Sequence, residues 1–584
     1  MKNSIMKLKQ ILYILPVLLG ANFGCSKDVL DQNPQTTISD ATFWKSINDL
    51  KLYCNNFYQL LPSNPSNNAF YYTDNNSDHL VPSASRNLRL NGETLVPASG
   101  GGWSYGDWAS IRNTNYFLTH YQSVSATPAE IAPYLGEAYF FRAWFYFDKL
   151  MGFGAVPWIN QPLSTGDEEL LSTPRSPRNI IADSIVADLD QAISLLPSRT
   201  TAQSMRINRE IAQAFKTRVC LYEGTWEKYH SGTEFGVAGQ DGSKFLQAAA
   251  EQAQALMGNA AVGLDNVGQP DGYQQLFNQL DYSSSKEILF WRAYKVGVLT
   301  TGWNRYSNTG GATGMSRRLV ESYLCTDGKP ISVSDLYQGD DSLETVVRNR
   351  DPRLRQTLYV PGDLMTVYPG NVGNVIFQRP GFTLAVDQLN TTGYQLKKGN
   401  NTDPAQIDYT TRGLIFIRYA EVLMNFAEAK AELGTITQDD LDRSINLLRG
   451  RVGMPSLQLN NITPDPHWEF PDLAAIINEI RREREVELAC EGFRFNDIMR
   501  WAAAPQLING YRPKGAKWAQ WEGQYPTLIP GNNIFLDDEG YLDPYHNDEL
   551  LTTGYHFKEN RDYLLPLPVD QLTLNPALKQ NPGW

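Results

Sequence analysis

Apolar residues recur at helical spacing in nine blocks, 39–61, 103–121, 128–151, 177–196, 209–229, 244–257, 414–433, 441–451 and 473–501. Polar start signals precede several of them. Ser39 stands as N-cap of the first, Thr127 and Glu130 form a capping box around Pro128, and Ser176 caps a helix entered at Pro177. Gly434 and Gly492 fall where a left-handed helix-terminal residue is expected. Neighbouring blocks therefore read as helical hairpins, each burying its apolar face on the next. The predicted fold class is predominantly all-α, built of tetratricopeptide-like pairs without a strict repeat period. Insertions at 62–102, 258–290 and 301–412 interrupt the array and are rich in Gly, Asn, Ser, Thr and aromatics. Loops on a rigid scaffold are where recognition residues concentrate.

The first residues read as a targeting segment. Lys2, Lys7 and Lys9 precede the apolar run 11–19, which is interrupted by Pro16 and far shorter than the ~20 residues that span a bilayer. Gly24 before Cys25 is the arrangement lipoprotein processing requires, with Asn22 standing where Leu is usual. Cys25 is thus the expected acylated first residue of the mature chain, and residues 25–38 a polar tether.

Charge narrows the function classes. With Lys plus Arg at 51 and Asp plus Glu at 63, the net charge is −12, becoming −15 once Lys2, Lys7 and Lys9 are removed. No basic face of the kind a nucleic acid needs is expected. Cys54, Cys220, Cys325 and Cys490 lie far apart, with no CxxC spacing, and predict buried free thiols. The six histidines are dispersed, and no phosphate-binding loop, HExxH or dinucleotide fingerprint occurs. No cofactor is expected. The alternating oxygens of Asp74-Asn-Asn-Ser-Asp78 offer calcium as a weak alternative, without the glycine and distal glutamate of a helix-loop-helix site. Gly102-Trp103-Ser104-Tyr105-Gly106 satisfies the nucleophile-elbow pattern. The proline and three glycines of 95–102 argue against the strand that such an elbow needs.

Several stretches resemble one family. Gly136-Glu-Ala-Tyr-Phe-Phe-Arg142 through Asp148 with Gly152-Phe-Gly-Ala-Val-Pro157, residues 212–222 with Gly224-Thr-Trp226, and Ile417-Arg418-Tyr419-Ala420-Glu421 through Ala429 are similar to SusD/RagB proteins. So are Glu483-Arg484-x-x-Glu487-Leu-x-x-Glu491-Gly492-x-Arg494-x-x-Asp497-x-x-Arg500-Trp501 and the ending Gln580-Asn-Pro-Gly-Trp584. The resemblance implies a non-enzymatic, lipid-anchored protein on the outer membrane surface. It also implies a partner, a TonB-dependent SusC-like barrel, to which the protein delivers oligosaccharides or, in some members, peptides. In this frame residues 1–24 are the signal, 25–38 the tether, 39–300 an N-terminal helical region, and 301–584 a C-terminal region with variable loops at 301–412.

The charged residues divide into structural and recognition sets. Arg418, Glu421, Asn425, Glu428 and Glu432 share one helical stripe, and Glu483, Glu487 and Glu491 repeat every fourth residue with Arg484, Arg494 and Arg500 as counter-charges. An ion-pair network explains both better than a catalytic carboxylate pair. A glycan site instead needs aromatic platforms beside hydrogen-bonding groups. Trp303, Arg305 and Tyr306 in a Gly/Thr/Asn-rich segment are the first choice, with Tyr72, Asp74, Asp78 and Trp103 as further candidates. Packing of the helix start is the alternative role for Trp103 and Trp108.

Overall fold

The computed structural model describes residues 43–63, 74–83, 85–265, 268 and 270–584. Cys25, the leader, the tether and Tyr72 lie outside the described residues.

Six helices make the first layer: α1 (Ile47–Gln59), α2 (Ala109–His120), α3 (Pro128–Phe153), α4 (Arg178–Leu195), α5 (Arg209–Tyr229) and α6 (Ser243–Met257). Each packs on its neighbour in turn, α3 on α4, α4 on α5 and α5 on α6. The Thr127–Glu130 capping box starts α3 as the sequence predicts, because both partners are local. Ser46, with Asp49, caps α1, and Ser39 lies outside the described residues. Pro177 itself is the N-cap of α4, while Ser176 is drawn into a bridge with Val156.

Strand β1 (Ile288–Arg292) pairs antiparallel with β4 (Leu414–Arg418), which feeds directly into α9 (Tyr419–Glu432). Between them lie α7 (Trp303–Thr309), α8 (Arg317–Ser322) and the hairpin β2 (Leu364–Thr366) with β3 (Val375–Ile376). Helix α9 then returns to pack on α5 and α6. It is followed by α10 (Ile445–Arg451), α11 (Ala475–Glu487) and α12 (Arg494–Arg500). The predicted helix 473–501 is thus two helices. Cys490 and Gly492 both take positive φ, 60° and 84°, and turn the chain between them; the left-handed conformation ends a helix and at Cys490 is strained.

Two large apolar cores result. The first joins α1 to α6 with β4, α9, α11 and α12 and is rich in aromatics such as Phe140, Phe141, Trp144 and Phe215. The second lies in the loop-rich part, around Trp303, Tyr323, Tyr359, Tyr394 and Trp521, and takes Val486, Ala489 and Cys490 from the end of α11 and the turn after it. Cys54, Cys220, Cys325 and Cys490 are buried free thiols. No described helix is long and apolar enough to cross a membrane.

Candidate ligand-binding cleft

Where α9, α11 and α12 meet, the charged stripes close into a buried network. Arg418 donates to Glu491 at 2.7 Å, to Glu487 at 2.7 Å and to Glu287 at 3.2 Å. Glu483 is held by Arg353 and Arg449, each at 2.7 Å, and Glu487 also by Arg451 at 2.5 Å. Lys398 completes the shell of Glu491 at 2.7 Å. Arg484, Arg494 and Arg500, which the sequence suggested as partners for these glutamates, are engaged elsewhere. Arg484 meets Asp497 at 2.9 Å, Arg494 meets Asp78 at 2.9 Å, and Arg500 holds Glu428 at 2.5 Å. Burial alone would raise these carboxyls, but Arg500 and Arg484 bring Glu428 down to about 2, and Arg451, Arg418 and Arg353 hold Glu487 far below the usual range. Carboxylates so firmly ionised are structural. A general acid needs a pKa near the working pH.

Beside this network opens a cleft of about 780 Å³. Helix α8 forms one wall. Its N-cap Ser316 donates through Oγ to the Asp78 carbonyl at 2.6 Å, fixing the helix start. The next two residues lie flat on tyrosines, Arg317 at 3.5 Å from the Tyr541 ring centre and Arg318 at 3.7 Å from that of Tyr511. Both stacks are backed by acceptors. Arg317 donates to Glu321 at 2.7 Å, Arg318 to the Leu507 carbonyl at 2.6 Å and to Asp78 at 3.2 Å, and the Tyr541 hydroxyl to Asp340 at 2.5 Å. A guanidinium stacked on an aromatic is held in one plane, and here two such planes line the cleft side by side.

The opposite wall comes from α11 and the segment before it. Arg481 sits among the rings of Trp501, Phe470 and Tyr229, at 4.2, 4.3 and 4.8 Å. Its Nε makes no hydrogen bond, and neither does the indole Nε1 of Trp468, although both atoms are buried. Buried donors without acceptors are rare and carry a desolvation cost. Five cationic side chains and five acidic ones line the cleft, so its formal charge balances. Burial raises the Glu321 carboxyl above its ordinary value, with Arg317 opposing. The arrangement offers flat surfaces, fixed donors and acceptors, and no net formal charge. That suits a ligand rich in hydroxyl or carbonyl oxygens.

The structure separates the residues the sequence nominated. Trp303 begins α7, not a loop, and is only 1% exposed within the second core, with Arg412 at 5.5 Å from its ring. A ring so covered presents no face to a sugar. Tyr306 is half-buried against the same core, and Arg305 alone of the three is exposed. Trp103 is buried edge-on against Trp108 and Phe153, at 5.2 and 4.9 Å, and packs the start of the helix. Asp78 is buried and bound by Arg494 and Arg318, so it supports the cleft from beneath. Asp74 is buried too. Its Oδ2 accepts from the Gly492 amide at 3.1 Å, and burial pushes its carboxyl up to about 6. With Asp78 committed to two guanidiniums, the 74–78 run has no free carboxylate pair for calcium, and among the described residues no cluster of three metal-ligating side chains occurs. Ser104 donates to Asp107 at 2.6 Å at the surface, in a turn with no strand before it. Sequence reasoning missed Arg317, Arg318, Arg481, Trp468, Tyr511 and Tyr541. One local signal was available: the Arg-Arg doublets 317–318 and 481–482 both face the cleft.

The fold is a tetratricopeptide-like helical scaffold that carries a cleft walled by α8, α11 and the loops beside them. The chain belongs to the SusD family, whose profile matches residues 274–584, and a second profile, described as starch-binding associating with outer membrane, matches residues 28–221. It is similar to SusD-like protein P2 of Formosa agariphila, 25% identical with 99% of this chain and 100% of that protein covered. Two structures from Bacteroides fragilis share the fold. A SusD-like protein gives TM-score 0.71 at 22% identity, covering 95% of this chain and all of that one. A SusD-like carbohydrate-binding protein gives 0.70 at 23%, covering 92% of this chain and all of that one.

Proposed function

We propose that the protein is an outer-membrane surface lipoprotein that captures an oligosaccharide in the 780 Å³ cleft and hands it to a TonB-dependent SusC-like barrel, without turning it over. Cys25 is the lipid attachment point in this reading. The observation that carries it is the pair of guanidinium planes of Arg317 and Arg318, facing the unpartnered donors of Trp468 and Arg481 across a charge-balanced cleft. Sugar hydroxyls supply the acceptors those donors lack, and the flat faces of pyranose rings fit stacked planes. Family membership, the outer-membrane description of the second profile and the carbohydrate-binding neighbour all agree with this reading.

The test is calorimetric titration of the full-length protein with plant, fungal and host oligosaccharides, and with a mixed peptide digest. Arg317→Ala and Trp468→Phe are run alongside wild type. Saturable sugar binding weakened in both variants is the expected result. Binding of peptides alone would replace the reading with peptide capture, and sugar binding unchanged in both variants would move the site elsewhere.

A further inference from the structure

Helix α8, which carries Arg317 and Arg318, is tied at both ends to one histidine. At its start the Ser316 amide donates to the His79 carbonyl at 2.8 Å. At its end Ser322 donates through Oγ to Glu485 Oε1 at 3.0 Å, and the same carboxylate oxygen stands 3.1 Å from His79 Nε2. The first tie is backbone and indifferent to pH, whereas the second runs through an imidazole and a carboxylate on α11. His79 is 2% exposed and Glu485 6%, so water and salt screen the pair little.

The charges around the ring favour a proton on it. Asp74 and Asp78 come from its own segment, Glu485 from α11 and Glu469 from the segment before α11, and these four carboxyls have two guanidiniums among them. Arg494 meets Asp78 at 2.9 Å, Glu469 at 2.8 Å and Glu485 at 3.9 Å, and Arg318 meets Asp78 at 3.2 Å. Asp497, which also faces Asp74, is already held by Arg484 and Arg500 and adds no unmet charge. A neutral His79 therefore leaves the cluster short of positive charge, and a protonated one brings it nearer to balance. Burial alone would lower the ring, but its bond to Glu485, with Asp78 assisting and Arg494 opposing, holds it above the ordinary 6.5. His79 Nδ1 and Asp74 Oδ1 are buried and unbonded, so this cluster is not locked on every side.

We propose that His79 is a proton-operated latch on α8. With the proton on, the ion pair with Glu485 holds the far end of the helix, and with the proton off that end is released and the planes of Arg317 and Arg318 lose their fixed setting. The sign follows from linkage. A base held above its unfolded value contributes stability that is complete below pH 6.5 and is lost as pH rises through the folded value. The effect on ligand affinity rests on the glycan reading of the cleft, while the latch itself is read on the empty protein.

The test is hydrogen exchange of the full-length protein, read by mass spectrometry at about pH 6 and about pH 8.5 and corrected for the intrinsic effect of pH on amide exchange. In wild type the amides of 316–322 are expected to lose about tenfold in protection at the higher pH, and His79→Gln to show the lower protection at both. Exchange of the His79 ring C2–H in wild type, which needs no variant, is expected to give a midpoint above 6.5. Glu485→Gln keeps the shape, removes the charge and lowers that midpoint. A ring midpoint below 6.5, unchanged protection in wild type, or the same change in wild type and His79→Gln overturns the proposal. The oligosaccharide panel is then titrated at both pH values, and a sugar that binds is expected to bind about tenfold more weakly at the higher one. Equal affinity at both would overturn the link from latch to cleft. Failure of every sugar to bind would count against the glycan reading and leave the exchange result to decide the latch.

Discussion

Two sets of arginines sit within one helix turn of each other on α11 and do different work. Arg484, with Arg418 and Arg353 from neighbouring segments, is held by carboxylates, Arg484 by Asp497, Arg418 by Glu491 and Arg353 by Glu483. Arg481, with Arg317 and Arg318 across the gap, lies against aromatic rings and borders open space. The first set is closed, in that no buried nitrogen of Arg418, Arg353 or Arg484 lacks a hydrogen bond, whereas in the second, open set Arg481 bonds Glu432 through Nη2 at 3.2 Å and leaves its Nε unbonded. A closed network fixes architecture, because removing one member strands a buried charge. An open set costs stability in the empty protein and recovers it only when something else supplies the acceptors.

Breaking the closed set gives the largest effect. Arg418→Ala removes the one guanidinium shared by Glu287, Glu487 and Glu491, leaving Glu487 to Arg451 and Arg353 and Glu491 to Lys398, and is expected to destabilise by about 3 to 5 kcal/mol, read by urea unfolding. Trp303→Ala empties the second core and should cost about 3 to 5 kcal/mol. If instead it left the unfolding midpoint unchanged and abolished sugar binding alone, Trp303 would belong with the open set.

A third prediction concerns acid. Burial drives His230 down to about 3, from an ordinary value of 6.5, while its Nε2 stands 2.8 Å from the Met499 carbonyl. The fold holds this ring neutral and the unfolded chain does not. Its contribution is therefore complete above pH 6.5 and is lost as pH falls towards 3. Between pH 6.5 and 5 the loss is about 2 kcal/mol, and His230→Gln should remove that part of the slope. An unchanged slope would mean that the buried carboxyls alone govern acid stability.

The smallest changes sharpen the comparison most. Trp468→Phe keeps the ring and deletes an N–H that bonds nothing in the protein, so stability should move by less than about 0.5 kcal/mol while ligand affinity falls about fivefold to tenfold. Equal loss of both would place Trp468 in the closed set. Ser104→Ala, at a surface turn, should alter neither.

What the sequence disclosed divides along the same line. The Thr127–Glu130 cap, the helix blocks and the family stretches were legible because their signals are local or are long strings. The charged stripe on α9 was legible as structural, but its partners were not. Glu491 answers to Arg418 and Lys398, 73 and 93 residues away, and no helical wheel contains that information. Trp303 misled because Gly and Thr residues around it resemble a loop, whereas its burial depends on a core assembled from distant segments. The cleft was hidden for a similar reason, since its walls come from 317–340, 465–485 and 506–541.

The bond between Asp78 and Arg494 joins residues 416 apart, and the turn at Cys490 and Gly492 is what brings them together. A chain emerging from its N-terminus therefore makes 493 residues before the arginine that locks Asp78 exists. Such long loops close slowly, and until they do the aromatic face of α3 lacks α9 and β4 to cover it. The first layer of helices can pack pairwise before that point, but its core is complete only after the last arginine of the network has been made.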